Sequence, residues 1–230
     1  EEFTKFSRFV FQGNSSVESL EWAPLIADKM RRSFEQKASS EINKNYIITE
    51  ELLSGDIITA SDKDQYLPIY YIYPQELSVR KRGIDILAHT DKQSAMQQSL
   101  THNKVVGSEP LKLTQLDNII SGVFVFYPVT NNRAINPFGP LDAEQNLNGY
   151  ILAKVNFDVI FEQMRAAQNA NTVALYIQDQ THFEPYILNG ENITGNGRIT
   201  DVIDIEVFGR QWQVQLTERT PWVTQDKPWN

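Results

Sequence analysis

Tyr66-Leu67-Pro68-Ile69-Tyr70-Tyr71-Ile72-Tyr73-Pro74 is the stretch that decides the fold of this chain. As a short run rich in Ile and Tyr it reads as a strand. Similar short runs rich in Val, Ile, Tyr and Phe recur at 46–49, 105–106, 122–127 and 150–155. They predict a first sheet. Between them, residues 90–103 set Ala95, Met96, Ser99 and Leu100 on one helical face, with Thr90 or Asp91 available as a cap.

Toward the N-terminus the texture is different. From 16 to 42 the residues Leu20, Ala23, Ala27, Met30, Phe34, Ala38 and Ile42 recur at three- and four-residue steps. That spacing predicts a long amphipathic helix, starting near Pro24 or kinked there from an earlier helix beginning at about Phe3. Toward the C-terminus, 130–148 is loop by composition and is expected to divide two lobes. Beyond it come a strand to Val155, a helix at 157–168, and strands at 173–177, 185–188, 198–203 and 207–217. The expectation is an α+β chain with two antiparallel sheets. Its parts are a long helix over 1–45, a first lobe over 46–130 and a second over 131–230.

Composition narrows the function. The 230 residues are 41% hydrophobic and 22% charged, which supplies a core and argues against disorder. Asp plus Glu (29) outnumber Lys plus Arg (21), a net charge of -8 that disfavours nucleic acid and anionic lipid as partners. The absence of Cys excludes disulfides, thiolate nucleophiles and Cys-ligated metals. No apolar run is long enough to span a bilayer, and no signal peptide opens the chain. Because the sequence opens on Glu1, it reads as a segment excised from between two membrane helices.

Several phrases resemble the CHASE family of extracellular sensors, in the family's order. Leu20-Glu21-Trp22-Ala23-Pro24, followed by Arg31-Arg32-Ser33-Phe34-Glu35, is similar to its aromatic-Ala-Pro and Arg-x-x-Phe-Glu elements. The 66–74 stretch resembles its Tyr-x-Pro-Val strand, and Arg82-Gly83-Ile84-Asp85-Ile86 its Leu-Gly-Phe-Asp element. The 91–100 helix follows, then Gly107-Ser108-Glu109-Pro110-Leu111, the 122–129 strand and Asn148-Gly149-Tyr150. The likeness covers about residues 16–165.

The resemblance implies a long N-terminal helix carrying two PAS-like lobes, one distal to the membrane and one proximal, with the ligand pocket in the distal lobe. It also implies a periplasmic or extracellular position in an inner-membrane receptor. The parent would be a histidine kinase, diguanylate cyclase or cyclic-di-GMP phosphodiesterase. The fragment itself would be no enzyme and would need no cofactor. In the cytokinin-binding branch an Asp follows the Tyr-x-Pro-Val strand. Here that place is Pro74, which has no side-chain donor or acceptor and so argues against an adenine-like ligand.

Candidate pocket walls are Tyr66, Tyr70, Ile72, Met96, Phe124 and Phe126, with Asp85, Ser108 and Arg82 as the polar groups. Each wall residue, taken singly, is explained more readily as ordinary core than as a ligand contact. Asp85, between Ile84 and Ile86, either holds a ligand amine or caps the following turn. His89, His102 and His182 lack metal-ligand spacing and read as surface residues. Gly190, Gly195 and Gly197 read as a turn, and Asp201, Asp204 and Glu206 as a solvated strand face rather than a Ca²⁺ site. No nucleophile elbow can be assembled. A small-molecule ligand and a homodimer paired through the long helix are the expected partners. The competing reading is a constitutive dimerisation or protein-binding module with no small ligand, and a hidden hydrolase or transferase is a third.

Overall fold

The computed structural model describes residues 2–42, 44–52, 54–77, 81–115, 118–130, 138, 147–167, 173–181, 186–189 and 199–218. The chain divides into two compact units, Glu1–Asn156 and Phe157–Asn230.

The first unit opens with helix α1 (Glu2–Gly13) and then strand β1 (Val17–Pro24). The short strand β2 (Ile26–Ala27) and a 3-10 turn lead into α2 (Arg31–Glu41). Strands β3 (Thr49–Glu51), β4 (Ile57–Thr59), β5 (Gln65–Tyr66) and β6 (Tyr71–Tyr73) precede helix α3 (Thr90–His102). Then come β7 (Val106–Gly107), β8 (Leu111–Gln115), β9 (Asn118–Thr130) and β10 (Leu147–Asn156). The main sheet is antiparallel, in the order β6-β1-β10-β9-β7 with β8 also paired to β9.

The expected helix over 16–42 is replaced by a strand in its first half. Residues 17–24 form β1, held between β10 and β6. A strand covered on both faces carries apolar residues without strict alternation, so Leu20 and Ala23 fit it as well as they fit a helical stripe. Pro24 cannot extend a helix from Ser16, but it suits a strand end, where β6 pairs only Leu20 to Trp22 and makes no demand on its missing N–H. Helix survives only in α2 and, upstream, in α1. The expected strand at 67–73 is likewise shortened to Tyr71–Tyr73, with a separate short strand just before it. β5 pairs with β2, while β6 joins the main sheet.

The expected lobe boundary also moves. β10 pairs with both β1 and β9, so it completes the first sheet and the division falls after Asn156. Chain order places 131–148 near a boundary, but antiparallel return pairing carries the next strand back into the same sheet. The loop assignment there lies, apart from Phe138 and the strand start, outside the described residues.

Two cores form. One joins the inner face of the main sheet (Ala23, Ile72, Phe126, Tyr150, Leu152) to Ile84, Ile86 and to Ala95 and Met96 of α3. The other gathers Phe34 and Ala38 of α2 with Ile26, Tyr46, Ile48, Tyr66 and Tyr70. On the opposite face of the main sheet α1 packs Phe3 against Tyr71 and Phe11 against Tyr73, with centroids 5.5 and 4.9 Å apart.

The second unit contains helix α4 (Phe157–Ala167) and strands β11 (Val173–Asp179), β12 (Tyr186–Asn189), β13 (Ile199–Val207) and β14 (Arg210–Glu218). They make an antiparallel sheet in the order β12-β11-β14-β13, close to the expected helix and strands. Phe157 packs edge-on against Trp212, and the buried Asp179 binds Arg210 Nε at 2.8 Å. Among the described residues no helix is long and apolar enough to cross a membrane.

Candidate functional site

Residues 81–89 form a strip sewn between two other segments, and this strip defines the site. Asp85 N–H donates to Thr49 O at 2.8 Å, Ile86 N–H to Leu67 O at 3.0 Å, and Ile69 N–H to Ile84 O at 3.0 Å. Gly83 makes the close approach possible. Its φ is +87°, and a Cβ there would collide with Ile47 O, so a side chain is excluded on both counts.

Asp85 fixes the strip from within. Fully buried, its Oδ1 accepts from Leu67 N–H at 2.7 Å and Leu87 N–H at 3.1 Å, capping the 3-10 turn Ile86–Ala88. Its Oδ2 lies 2.8 Å from Lys63 Nζ, which also meets Glu50 at 2.6 Å. Burial alone would depress the Lys63 pKa, but bonds to Asp85 and Glu50 outweigh it and leave that ammonium above its ordinary value. The same bond from Lys63 holds Glu50 below the usual carboxylate range.

Beneath the strip and the start of α3 lies a cavity of about 70 Å³. Its floor is Glu21 of β1, Phe124 of β9 and Leu152 of β10; Lys81, Ile84, Ile86 and His89 come from the strip, and Lys92 from α3. Strand register explains the floor. Glu21 and Phe126 both pair with Leu152, and Ser19 and Phe124 with Lys154, so these side chains share the inner face.

That face is apolar toward Tyr150 and charged toward Lys154. Glu21, only 2% exposed, accepts from Ser19 Oγ at 2.9 Å and has Lys81 Nζ at 3.8 Å. Buried Lys154 is brought down to about 8, by burial first and then by Lys81, against the opposing pull of Glu18 and Glu21. Lys92 is 9% exposed, and its Nζ stands 4.3 Å from the centroid of the Phe124 ring. Such a contact gives about 0.5–2 kcal/mol, less than it costs to bury an ammonium. Burial accordingly lowers the pKa of Lys92, and that of His89 beside it.

A second, more open cavity of about 530 Å³ lies along the other end of α3, bounded by Gln93, Met96, Gln97 and Leu100 of the helix and by Leu25, Leu67, Leu147 and Tyr150.

The sequence-predicted residues distribute between these cavities and the supporting core. Phe124 lines the smaller cavity and Met96 the larger. Ile72 and Phe126 belong to the same core without lining either cavity. Tyr66 and Tyr70 lie in the α2 core, their hydroxyls bonded to Asp28 at 3.0 Å and Glu41 at 2.6 Å. Ser108 accepts from Phe124 N–H at 3.1 Å and so braces β9 against β7. Arg82 has a buried Nε without a partner among the described residues, and burial lowers its pKa. The Arg31 and Glu35 motif ties α2 to the core: Arg31 bonds Glu35 and Tyr66, and Glu35 accepts from Ile48 N–H.

Sequence reasoning missed Glu21, Lys81 and Lys92, and read His89 as surface. The signal for Lys92 was available, since it stands three and four residues before Ala95 and Met96 and hence on their buried face. Glu21 lay inside a stretch read as helix. His182 and the turn at Gly190, Gly195 and Gly197 lie outside the described residues. Asp201, Asp204 and Glu206 are exposed on β13, and among the described residues no group of three or more metal-ligating side chains is placed to hold an ion.

The architecture is a mixed α/β fold with antiparallel sheets, the kind found in periplasmic sensory domains of chemoreceptors. The periplasmic sensory domain of the Campylobacter jejuni chemoreceptor Tlp1 superposes with a TM-score of 0.52 at 12% identity, over 100% of this chain and 81% of that one. An extracellular ligand binding receptor from Desulfohalobium retbaense DSM5692 gives 0.52 at 10% identity over 94% of this chain. The chain spans 33% of that receptor's length. No curated protein matches the sequence. The CHASE domain model matches residues 1–188, and the chain belongs to that family. It is a sensing module of a signalling receptor, not a catalyst.

Proposed function

We propose that this chain is the periplasmic or extracellular small-molecule sensor of a membrane-anchored receptor, with its ligand site on the inner face of the first sheet beneath α3. The output is a histidine kinase, diguanylate cyclase or cyclic-di-GMP phosphodiesterase, reached through flanking membrane helices. The two units correspond to distal and proximal PAS-like lobes. One observation carries the reading: a cavity walled by three adjacent strands, α3 and the 81–89 strip, with buried charge inside an otherwise apolar core. Buried charge is costly, and unlike Asp85 or the Asp179–Arg210 pair, Lys92 has no close ion pair or hydrogen bond among the described residues to offset it.

β1 lies in the cavity floor and connects through three residues to α1, while β10 runs directly into the second unit. Ligand that draws α3 and the strip toward the floor therefore shifts the strands at both exits. A difference of ~1.4 kcal/mol in its affinity for two such arrangements changes their ratio about tenfold. α1 leaves Phe6 and Phe9 exposed at 51% and 77%, which supports pairing of two copies along this helix. Sedimentation of the chain against a Phe6→Glu, Phe9→Glu variant tests that pairing.

The sensing proposal is tested by a thermal-shift screen of organic acids, amino acids, purines and peptides, repeated on Leu152→Trp, which fills the smaller cavity. A compound that raises Tm in the wild type and not in the filled variant is the expected outcome. Stabilisation that survives filling places the ligand elsewhere.

A further inference from the structure

We infer that the smaller cavity takes a small monocarboxylate, its anionic group seated on Lys92 Nζ and its carbon atoms on Ile69, Ile84, Ile86, Phe124 and Leu152. The inference rests on the sensing proposal and specifies its ligand.

Lys92 carries the argument. Lys92 lines the cavity and is nine-tenths buried as a residue, and among the described residues its ammonium makes no hydrogen bond or close ion pair; it stands over the face of Phe124, with Asp91, Glu21 and Glu51 acting on it only at longer range. A largely buried cation with a ring face and only more distant carboxylates around it is poorly compensated, whereas a carboxylate brought in by a ligand supplies charge and hydrogen-bond acceptors together. The other buried charge on the cavity wall is already engaged, since Glu21 is held by Ser19 and Lys81. The remaining carboxylate of the lining, Glu51, is exposed.

Size sets the upper limit. One water needs about 10–15 Å³ of such space, so about 70 Å³ admits roughly five to seven non-hydrogen atoms. Acetate, propionate, lactate and pyruvate fit that limit. A purine or a dipeptide does not.

The test titrates the chain at pH 7 with these four carboxylates and with propionamide and lactamide, by calorimetry and thermal shift, using wild type, Lys92→Met and Lys92→Arg. At least one carboxylate is expected to bind and raise Tm, while its amide is inert. Lys92→Met should lose about 30-fold or more in affinity, and Lys92→Arg should keep most of it. The ligand-free Lys92→Met chain should melt no lower than wild type, because an uncompensated ammonium has been removed. If that variant does not fold, the comparison of carboxylate with amide on the wild-type chain decides alone.

Silence from all four carboxylates overturns the inference. So does an amide that binds as well as its acid, or affinity that persists in Lys92→Met. Response to glycine or alanine without response to the simple acids also overturns it. A different compound whose effect is lost in Leu152→Trp would sink the monocarboxylate assignment and leave the sensing proposal standing.

Discussion

Replacing Asp85 by Ala removes the acceptor that holds the cavity strip to its neighbours. The carboxylate is fully buried and receives two backbone N–H groups, from Leu67 and Leu87, together with the Lys63 ammonium. An unsatisfied buried N–H costs about 1–3 kcal/mol. Leu67 is itself buried and should bear that cost in full, while Leu87 is partly reached by water and bears less. Lys63 keeps Glu50 and adds little. The expected loss is about 3–4 kcal/mol, a large part of the ~5–15 kcal/mol that holds a typical domain folded. Asp85→Asn retains an acceptor for the two N–H groups but turns an amide toward Lys63, and should lose about 1–2 kcal/mol. Urea unfolding gives the totals, and amide hydrogen exchange at Leu67 and Leu87 locates them. If Asp85→Ala costs less than about 1 kcal/mol at unchanged m, or if those two amides exchange as in wild type, the structural role assigned to this carboxylate is wrong.

Other perturbations have equally definite outcomes. Gly83→Ala forces a Cβ against Ile47 O at positive φ and should destabilise by about 2–4 kcal/mol in urea melts; a neutral result would contradict the backbone placement of the strip. In the second unit, Asp179→Ala leaves Arg210 buried without its partner and should cost about 3–5 kcal/mol, seen as lost exchange protection in β11 and β14. For pH, folding lowers Lys154 to about 8 against an unfolded value of ~10.4. Between those values the unfolded chain holds the extra proton, so this group makes stability rise as pH rises from about 8. Tm followed from pH 7 to 9.5 should show the gain in wild type and lose it in Lys154→Met, with Lys81, Glu18 and Glu21 setting its size; equal profiles would remove Lys154 as the cause.

Much of the fold was legible because its signals are local. α3 spans Thr90–His102 against an expected 90–103, and α4 and the second-unit strands begin within three residues of their expected starts. What failed was the part decided by distant partners. The stretch 16–24 carries helix-like spacing, yet it becomes a strand because β10, more than a hundred residues on, and β6 enclose it. The same non-local return of β10 displaced the expected lobe boundary. Site residues fared unevenly for the same reason. Aromatic strand positions such as Phe124 were recognisable as walls, but Glu21 acquires its inward direction only from register with Leu152. Lys92 was readable from its helical face alone, since a Lys in phase with Ala95, Met96 and Ser99 must be buried when they are.

The most direct measurement is amide hydrogen exchange of the 230-residue chain, alone and with whichever screened compound raises its Tm most. The account predicts that added protection concentrates in 81–92 and in the facing stretches of β1, β9 and β10, and that Leu152→Trp abolishes it. Protection confined to the second unit, with α3 and the strip exchanging as before, would contradict it.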